Sequence, residues 1–283
     1  MARTRQRVTT SLNIKAILGR QEHPPEIETP LRELQSHRVL VTGAEGSIGS
    51  AITQLLNDSG VFTIGTDIAD CDVTNRNMLA GAIARVKPTL VFHLAGAKHA
   101  PDGEIDPLDA ATINITGTAN VVRSTSARVV TASTCKSCDP ETAYGATKLV
   151  AERITLNAGG SVARFYNVPQ SSGNVFEIWK ALPDTDPIPV TMCERYFVSL
   201  NEALALLLWA AVLPSGRYAV APGSPRDMFS IARALYPDRV RVGMPRRRGD
   251  RMDEPLHAAS ETLHTTIVPN IVRIESPHDP EAA

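Results

Sequence analysis

The chain has 283 residues, 43% of them hydrophobic and 21% charged, enough to bury one ordinary core or a core with a small lobe. Its 29 Lys and Arg stand against 30 Asp and Glu, and a net charge of -1 supplies no electropositive field for nucleic acid or an anionic membrane surface, so any anion is expected to be held locally. The longest apolar stretch, Ala203 to Leu213, is about half of the ~20 residues that a membrane-spanning helix needs, and the Arg-containing start has no signal-peptide core, so a cytoplasmic protein without membrane attachment is expected.

Residues 1–37 read as an arm, with a short helical pattern near Leu12 to Leu18 and Pro24, Pro25 and Pro30 as breakers. Strands are then predicted at Arg38–Thr42, Val61–Thr66, Thr89–Leu94, Arg128–Thr131 and Ser161–Phe165, with helices at Ser47–Asn57, Arg76–Val86, Leu108–Ser124 and Thr142–Asn157 between them. This alternation implies an α/β fold with a doubly wound parallel sheet over residues 38–167, whose ligands sit at the carboxyl ends of the strands. After residue 167 prolines cut the chain into short elements. Residues 168–283 are expected to be mainly a substrate-binding lobe and a tail, with a boundary intertwined with the sheet domain.

Val39-Leu40-Val41-Thr42-Gly43-Ala44-Glu45-Gly46-Ser47-Ile48-Gly49 is an apolar strand running through G-x-x-G-x-x-G into a helix. The glycines let backbone N–H groups and the helix N-terminus approach a pyrophosphate, which assigns Gly43, Gly46, Ser47, Ile48 and Gly49 to a dinucleotide. Asp67 follows the next strand, where a carboxylate accepts ribose hydroxyls and repels a 2'-phosphate, so NAD is favoured over NADP. Asp72 and Val73 come too soon after it for a further helix and strand. One βα unit of the usual fold is therefore expected to be missing.

Tyr144-Gly145-Ala146-Thr147-Lys148 places a phenol and an ammonium on one helix face. The cation and a bound nicotinamide both favour phenolate, so Tyr144 can take a hydroxyl proton as hydride leaves the carbon. Four cysteines do not make a disulfide framework, and the C-x-x-C pair Cys135 and Cys138 has no second pair at zinc spacing, so no metal is expected.

With the glycine turn ahead of it, this set resembles the extended short-chain dehydrogenase/reductase superfamily, to which His93-Leu94-Ala95-Gly96 and Asn114 are also similar. The resemblance implies a Rossmann-like fold with a small C-terminal substrate lobe, Leu94, Ala95, Gly96, Asp72 and Val73 beside the cofactor, and a homo-oligomer. Within it, Val91 to Pro101, Asn114 to Val121, Ser133-Thr134-Cys135-Lys136, Arg164-Phe165-Tyr166-Asn167-Val168, Arg195-Tyr196-Phe197 and Arg247-Arg248-Gly249-Asp250-Arg251 with Glu254 look like the polysaccharide-biosynthesis (CapD-like) nucleotide-sugar 4,6-dehydratases. The likeness covers roughly residues 15 to 275.

That resemblance implies a UDP-N-acetylhexosamine oxidised at C4 by the nicotinamide, with water then lost across C5 and C6. Thr134, Tyr144 and Lys148 would serve the C4 chemistry and Lys136 would remove the C5 proton. Cys135 stands where the family has the Asp that protonates the departing hydroxyl. A thiol can donate a proton, but the adjacent Lys136 ammonium is expected to push it toward thiolate. Elimination with Cys135 as acid, elimination with another acid, epimerisation without dehydration, and dinucleotide binding with little catalysis all stay open. Lys98, Asn167, Arg195, Arg247, Asp250 and Glu254 are the implied substrate-binding residues, with Arg246, Arg247, Arg248 and Arg251 read either as a diphosphate clamp or as a solvated loop. Tyr166 replaces a family Gly and Arg248 a Pro. His93 is expected to be a packed strand-end histidine.

Overall fold

The computed structural model describes residues 12–280; the first eleven residues of the expected arm lie outside the described residues. The chain opens with α1 (Ile14–Leu18) and α2 (Glu28–Leu34), then alternates β1 (Arg38–Thr42), α3 (Ser47–Asp58), β2 (Phe62–Thr66), α4 (Arg76–Val86), β3 (Leu90–His93), α5 (Ala100–Ile105), α6 (Pro107–Ala111), α7 (Gly117–Ser124), β4 (Arg128–Thr134), α8 (Ala143–Asn157) and β5 (Ser161–Phe165). It continues with α9 (Val175–Ala181), β6 (Ile188–Thr191), β7 (Glu194–Arg195), α10 (Leu200–Val212), β8 (Arg217–Val220), β9 (Arg226–Asp227), α11 (Met228–Leu235), β10 (Arg241–Met244), β11 (Thr262–Thr265) and β12 (Ile271–Glu275).

Among the described residues, the main sheet has the order β11-β12-β8-β5-β4-β3-β1-β2. Pairing is parallel from β2 across to β8, and β12 and β11 add antiparallel strands. β2 is the edge of this sheet, so the chain returns through α4 to β3 on the far side of β1 with no further strand beyond β2. β4 runs on to Thr134, past the expected Thr131, because its pairing with β5 continues to Thr134 opposite Phe165. The helix expected over Leu108–Ser124 begins at Pro107, where the Asp106 side chain accepts the Asp109 N–H at 2.9 Å. It widens into a π turn at Thr112–Thr116 that buries Asn114.

Core formation follows the alternation. Val39, Val41 and Phe92 meet Ile52 and Leu56 of α3 on one face, while Leu40 and Val91 meet Leu79, Ala82 and Val86 of α4 and Val121 of α7 on the other. Burial of each such Leu or Ile contributes about 1.5–3 kcal/mol. The Ala203 to Leu213 run forms most of α10 and its C-cap Leu213, buried along nearly all of its length against the sheet, α2 and α3, as a helix apolar on every side must be. No described helix is long and apolar enough to cross a membrane.

The expected boundary at residue 167 is crossed in both directions. β8, β11 and β12 return to the main sheet, and the small lobe consists of α9, α11 and the short pairs β6–β10 and β7–β9 around Trp179, Phe176 and Ile231. The arm completes both parts: Ile17 is fully buried in the lobe's core, Leu34 in the main core, and Arg20 pairs bidentately with Glu202 at 2.5 and 3.0 Å.

Candidate active site

The glycine turn lies between the carboxyl ends of β1 and β3. Gly43 takes φ +74°, a left-handed conformation that favours glycine, and a Cβ there would stand 2.5 Å from the Ala95 nitrogen; a Cβ on Gly49 would stand 2.0 Å from the Gly43 carbonyl. This packing keeps the turn low and leaves the N-terminus of α3, at Ser47 and Ile48, facing the strand ends, while Gly46 precedes it in extended conformation. Asp67 accepts N–H bonds from Glu45 and Ile68, each at 2.8 Å, so its carboxylate is fixed beside the turn. Asp72 spends one oxygen on the Thr74 N–H and hydroxyl, and Val73 packs against Gly117. Leu94 donates its N–H to the Thr42 carbonyl and carries Ala95 and Gly96 along the rim. Asn114 Nδ2 donates to Thr147 at 3.0 Å, while its buried Oδ1 has no partner and lies within 2.9 Å of where a Gly96 Cβ would be. A low glycine cradle, a fixed carboxylate and an unpaired amide oxygen suit a dinucleotide.

Ser47 Oγ accepts the Ser172 N–H at 2.8 Å, and Lys98 Nζ donates to the Ser172 hydroxyl at 3.0 Å. The lobe's Ser171-Ser172-Gly173 loop is thereby tied to the glycine turn. His93 is buried between the Thr42 and Thr118 hydroxyls, and burial lowers its pKa to about 3. It is a neutral packing residue, as its strand-end position suggested.

Tyr144 and Lys148 lie in the first turns of α8, capped by Thr142, whose hydroxyl accepts the Gly145 N–H at 3.0 Å. Gly145 is required there: a Cβ would come 2.2 Å from the Lys136 carbonyl, so its absence lets α8 close against the turn after β4. Burial lowers the Lys148 pKa to about 8, opposed by Glu152 one turn on. Burial raises the Tyr144 pKa, opposed first by Lys136 and also by a hydrogen bond with Thr134. The cation set most strongly against the phenol is thus Lys136, where the sequence pointed to Lys148.

Cys135 and Lys136 begin the 3-10 turn after β4. Glu254, expected at the substrate, is 1% exposed and faces them instead: Oε1 lies 3.0 Å from Lys136 Nζ and 3.2 Å from Arg195 Nε, and Oε2 accepts the Asn167 amide at 2.9 Å. Lys136 Nζ also lies 3.4 Å from Asn167 Oδ1. The Cys135 thiol is 0% exposed and donates to Glu254 Oε2 at 3.8 Å. Burial raises its pKa to about 11, with Lys136 opposing more weakly. The expected thiolate therefore does not form, because desolvation outweighs an ammonium already paired with Glu254.

The basic residues separate. Arg195 NH1 donates to the Glu194 and Met252 carbonyls, and buried Arg251 holds the Cys138 carbonyl and Glu141. Arg246, Arg247 and Arg248 are exposed, Arg247 pairing with Asp250 at 3.1 Å. A clamp from all four loop arginines is not present, since Arg251 turns inward to the Cys138 carbonyl and Glu141.

Sequence reading missed the buried charges behind the site. Glu152 is 0% exposed and accepts from Ser133 at 2.5 Å, Ser137 at 2.6 Å, Arg164 at 2.7 Å and Arg217 at 2.7 Å. Arg164 also binds Glu261, and Arg217 binds Asp279. The signal available was Arg164 within an otherwise apolar strand, since a buried guanidinium requires a carboxylate.

A family described as "Polysaccharide biosynthesis protein" matches residues 61–276. Capsular polysaccharide biosynthesis protein CapD of Staphylococcus aureus is 31% identical over 79% of this chain, which spans only 44% of that protein's length. UDP-N-acetylglucosamine 4,6-dehydratase (inverting) of Campylobacter jejuni is 26% identical, with 81% of this chain and 79% of the enzyme covered. Among solved structures, Pen from Bacillus thuringiensis superposes with a TM-score of 0.75 at 22% identity, covering 88% of this chain and 92% of that one.

Proposed function

The chain belongs to the polysaccharide biosynthesis protein family, and from that premise we propose that it is a nucleotide-sugar 4,6-dehydratase using a nicotinamide dinucleotide. The observation that supports this reading is the close packing of the first turn of α8, which carries Tyr144, against the turn after β4, which carries Lys136, with a Gly145 Cβ position 2.2 Å from the Lys136 carbonyl. A phenol beside one ring carbon and an amine beside the next are what oxidation at C4 and proton removal at C5 require. Similarity to the Campylobacter enzyme supports a UDP-N-acetylhexosamine.

Gly43, Gly46, Ser47, Ile48 and Gly49 would hold the pyrophosphate, Asp67 the adenosine ribose, and Lys148 the nicotinamide ribose. The cofactor supplies hydride acceptance at C4 and its return. Tyr144 takes the C4 hydroxyl proton, with Thr134 fixing its orientation. Lys98, Asn167 and Arg195 would face the sugar diphosphate, and exposed Arg247 would have to exchange its 3.1 Å pairing with Asp250 for the phosphate.

NAD is the proposed dinucleotide, because Asp67 and neighbouring Glu45 would repel a 2'-phosphate. Replacing Asp67 with alanine should weaken NADH binding about 10–100-fold, the loss of hydrogen bonds to a charged group, and narrow its preference over NADPH. Fluorescence titration with both cofactors checks this, and unchanged affinities would remove the role given to Asp67.

The reaction is tested by mass spectrometry of UDP-N-acetylglucosamine incubated with the protein and NAD in deuterated water. Loss of one water with solvent deuterium retained at C5 is expected. Deuterium uptake without loss of water supports a second reading, epimerisation, which the sealed Cys135 at the family's Asp position favours. Neither change, together with no thermal stabilisation by UDP-, dTDP- or GDP-sugars, would leave only dinucleotide binding.

A further inference from the structure

Five groups crowd the strand end beside Tyr144, and they differ in what they can reach. The thiol of Cys135 is fully covered, and Tyr166, stacked on Tyr196 with ring centroids 5.1 Å apart, is buried near it. Glu254 and Arg195 side chains are 1% and 9% exposed, whereas Lys136 is 16% exposed. Lys136 is thus the group through which this cluster meets a ligand. It is also a poor base as it stands, because an amine paired with a carboxylate is an ammonium.

We propose that Glu254 is the proton-holding partner of Lys136: the carboxylate takes the ammonium proton that the amine must shed, so that one exposed amine makes both proton transfers of the elimination. This rests on the dehydratase reading above. The C4 ketone comes from oxidation by the bound nicotinamide dinucleotide. As substrate covers the pair, a proton passes from Nζ to Glu254 Oε1, across the 3.0 Å that separates them. The neutral amine takes the C5 proton, and the electrons of that C–H bond become the enolate of the ketone. The enolate expels the 6-hydroxyl as the C6–O bond breaks; the departing oxygen receives a proton from Nζ and leaves as water, with a C5=C6 double bond behind it. The pair ends with the single proton it began with.

Two features of the site bear on this exchange. Arg195, 3.2 Å from the same carboxylate oxygen, and the Asn167 amide, 2.9 Å from the other, fix Glu254; burial raises its pKa, but Lys136, Arg195 and Asn167 together hold it below the ordinary value. The groups facing Lys136 are Glu254 from the segment before β11, Arg195 of β7, Asn167 after β5, Tyr144 of α8 and Cys135 on its own turn. Of these Glu254 is the carboxylate, and its attraction holds the Lys136 pKa above the ordinary value despite burial. Glu254 is a positioning residue in this scheme, acting through Lys136 rather than on the sugar.

The first test needs no sugar. Competitive acetylation of the full-length protein across pH, read on the Lys136 peptide by mass spectrometry, should show Glu254→Gln moving the labelling midpoint down by a unit or more, with Glu254→Asp close to the parent. An unmoved midpoint in folded Glu254→Gln overturns the pairing.

The second test follows C5 deuterium uptake by UDP-N-acetylglucosamine. Normalised to the reduced NAD formed at each pH, the parent's rate should be nearly flat between pH 6 and 8, because the proton is passed internally. Glu254→Gln should be about 100-fold slower at neutral pH and climb with pH as the amine discharges to solvent, with reduction of bound NAD retained. Glu254→Asp should restore the flat profile. Equal pH slopes in parent and Glu254→Gln overturn the relay. If no nucleotide sugar reduces bound NAD in the parent, the dehydratase reading and the relay that depends on it both fall, while the labelling midpoints still decide the pairing.

Discussion

Replacing Glu152 with alanine is expected to cost about 3–5 kcal/mol, lowering the melting temperature by roughly 5–8 °C. The carboxylate is wholly buried between Arg164 and Arg217, and its removal leaves two interior guanidiniums with only the more peripheral Glu261 and Asp279 against them. The loss extends beyond one helix. Glu152 joins α8 to β5 and β8 and, through Ser133 and Ser137, to the strand end that carries Cys135 and Lys136. The same site makes stability depend on acid. The two arginines hold the Glu152 pKa at about 2, against a reference of 4.5, despite the opposing effect of burial. A depressed carboxylate contributes stability that is complete above about pH 4.5 and lost as pH falls toward 2. Between pH 7 and 4.5 this group should leave the melting temperature unchanged, and between pH 4.5 and 3 the parent should fall more than Glu152→Ala. A variant within about 1 kcal/mol of the parent would show that Glu261 and Asp279 alone compensate the arginines.

Replacing Tyr144 with phenylalanine is expected to lower turnover of a nucleotide sugar by about 10²–10⁴-fold, the range for loss of a positioned acid–base group. Affinity for the dinucleotide should be nearly unchanged, since the ring and its packing remain. Burial raises the phenol's pKa and Lys136 counters it, and positive charge arriving with the cofactor would favour the phenolate further. Because the phenolate is the form that accepts the C4 proton, the parent's rate of NAD reduction should rise with pH. Tyr144→Phe should lose that limb. Single-turnover reduction of bound NAD, followed by absorbance, checks both statements, and a phenylalanine variant that reduces NAD at the parental rate would assign the C4 proton to another group.

Local order was written in the sequence wherever burial repeats at short range. The strand alternating with amphipathic helix, the glycine turn from Gly43 to Gly49, the carboxylate at Asp67 and the Tyr144–Lys148 spacing all depend on residues within a few positions of each other, and the folded chain keeps them. Even the missing βα unit was legible, because Asp67 and Asp72 leave no length for it and β2 is the sheet's edge among the described residues.

Pairings across distance were decided only by the tertiary structure. Arg195, Arg251 and Glu254 carry charges that suit a phosphate or a sugar, and nothing adjacent to them in the chain says otherwise. Each is instead taken by a partner brought from afar: Glu254 by Lys136 and Arg195, Arg251 by Cys138 and Glu141. The protonation of Cys135 likewise followed from its burial, which outweighs the neighbouring ammonium visible in the sequence. Hydrophobic periodicity tells a segment which face to bury. It carries no label for the opposite surface, so the return of β8, β11 and β12 to the first sheet, and the docking of Ile17 in the lobe, were fixed only when the whole chain closed around its buried charges.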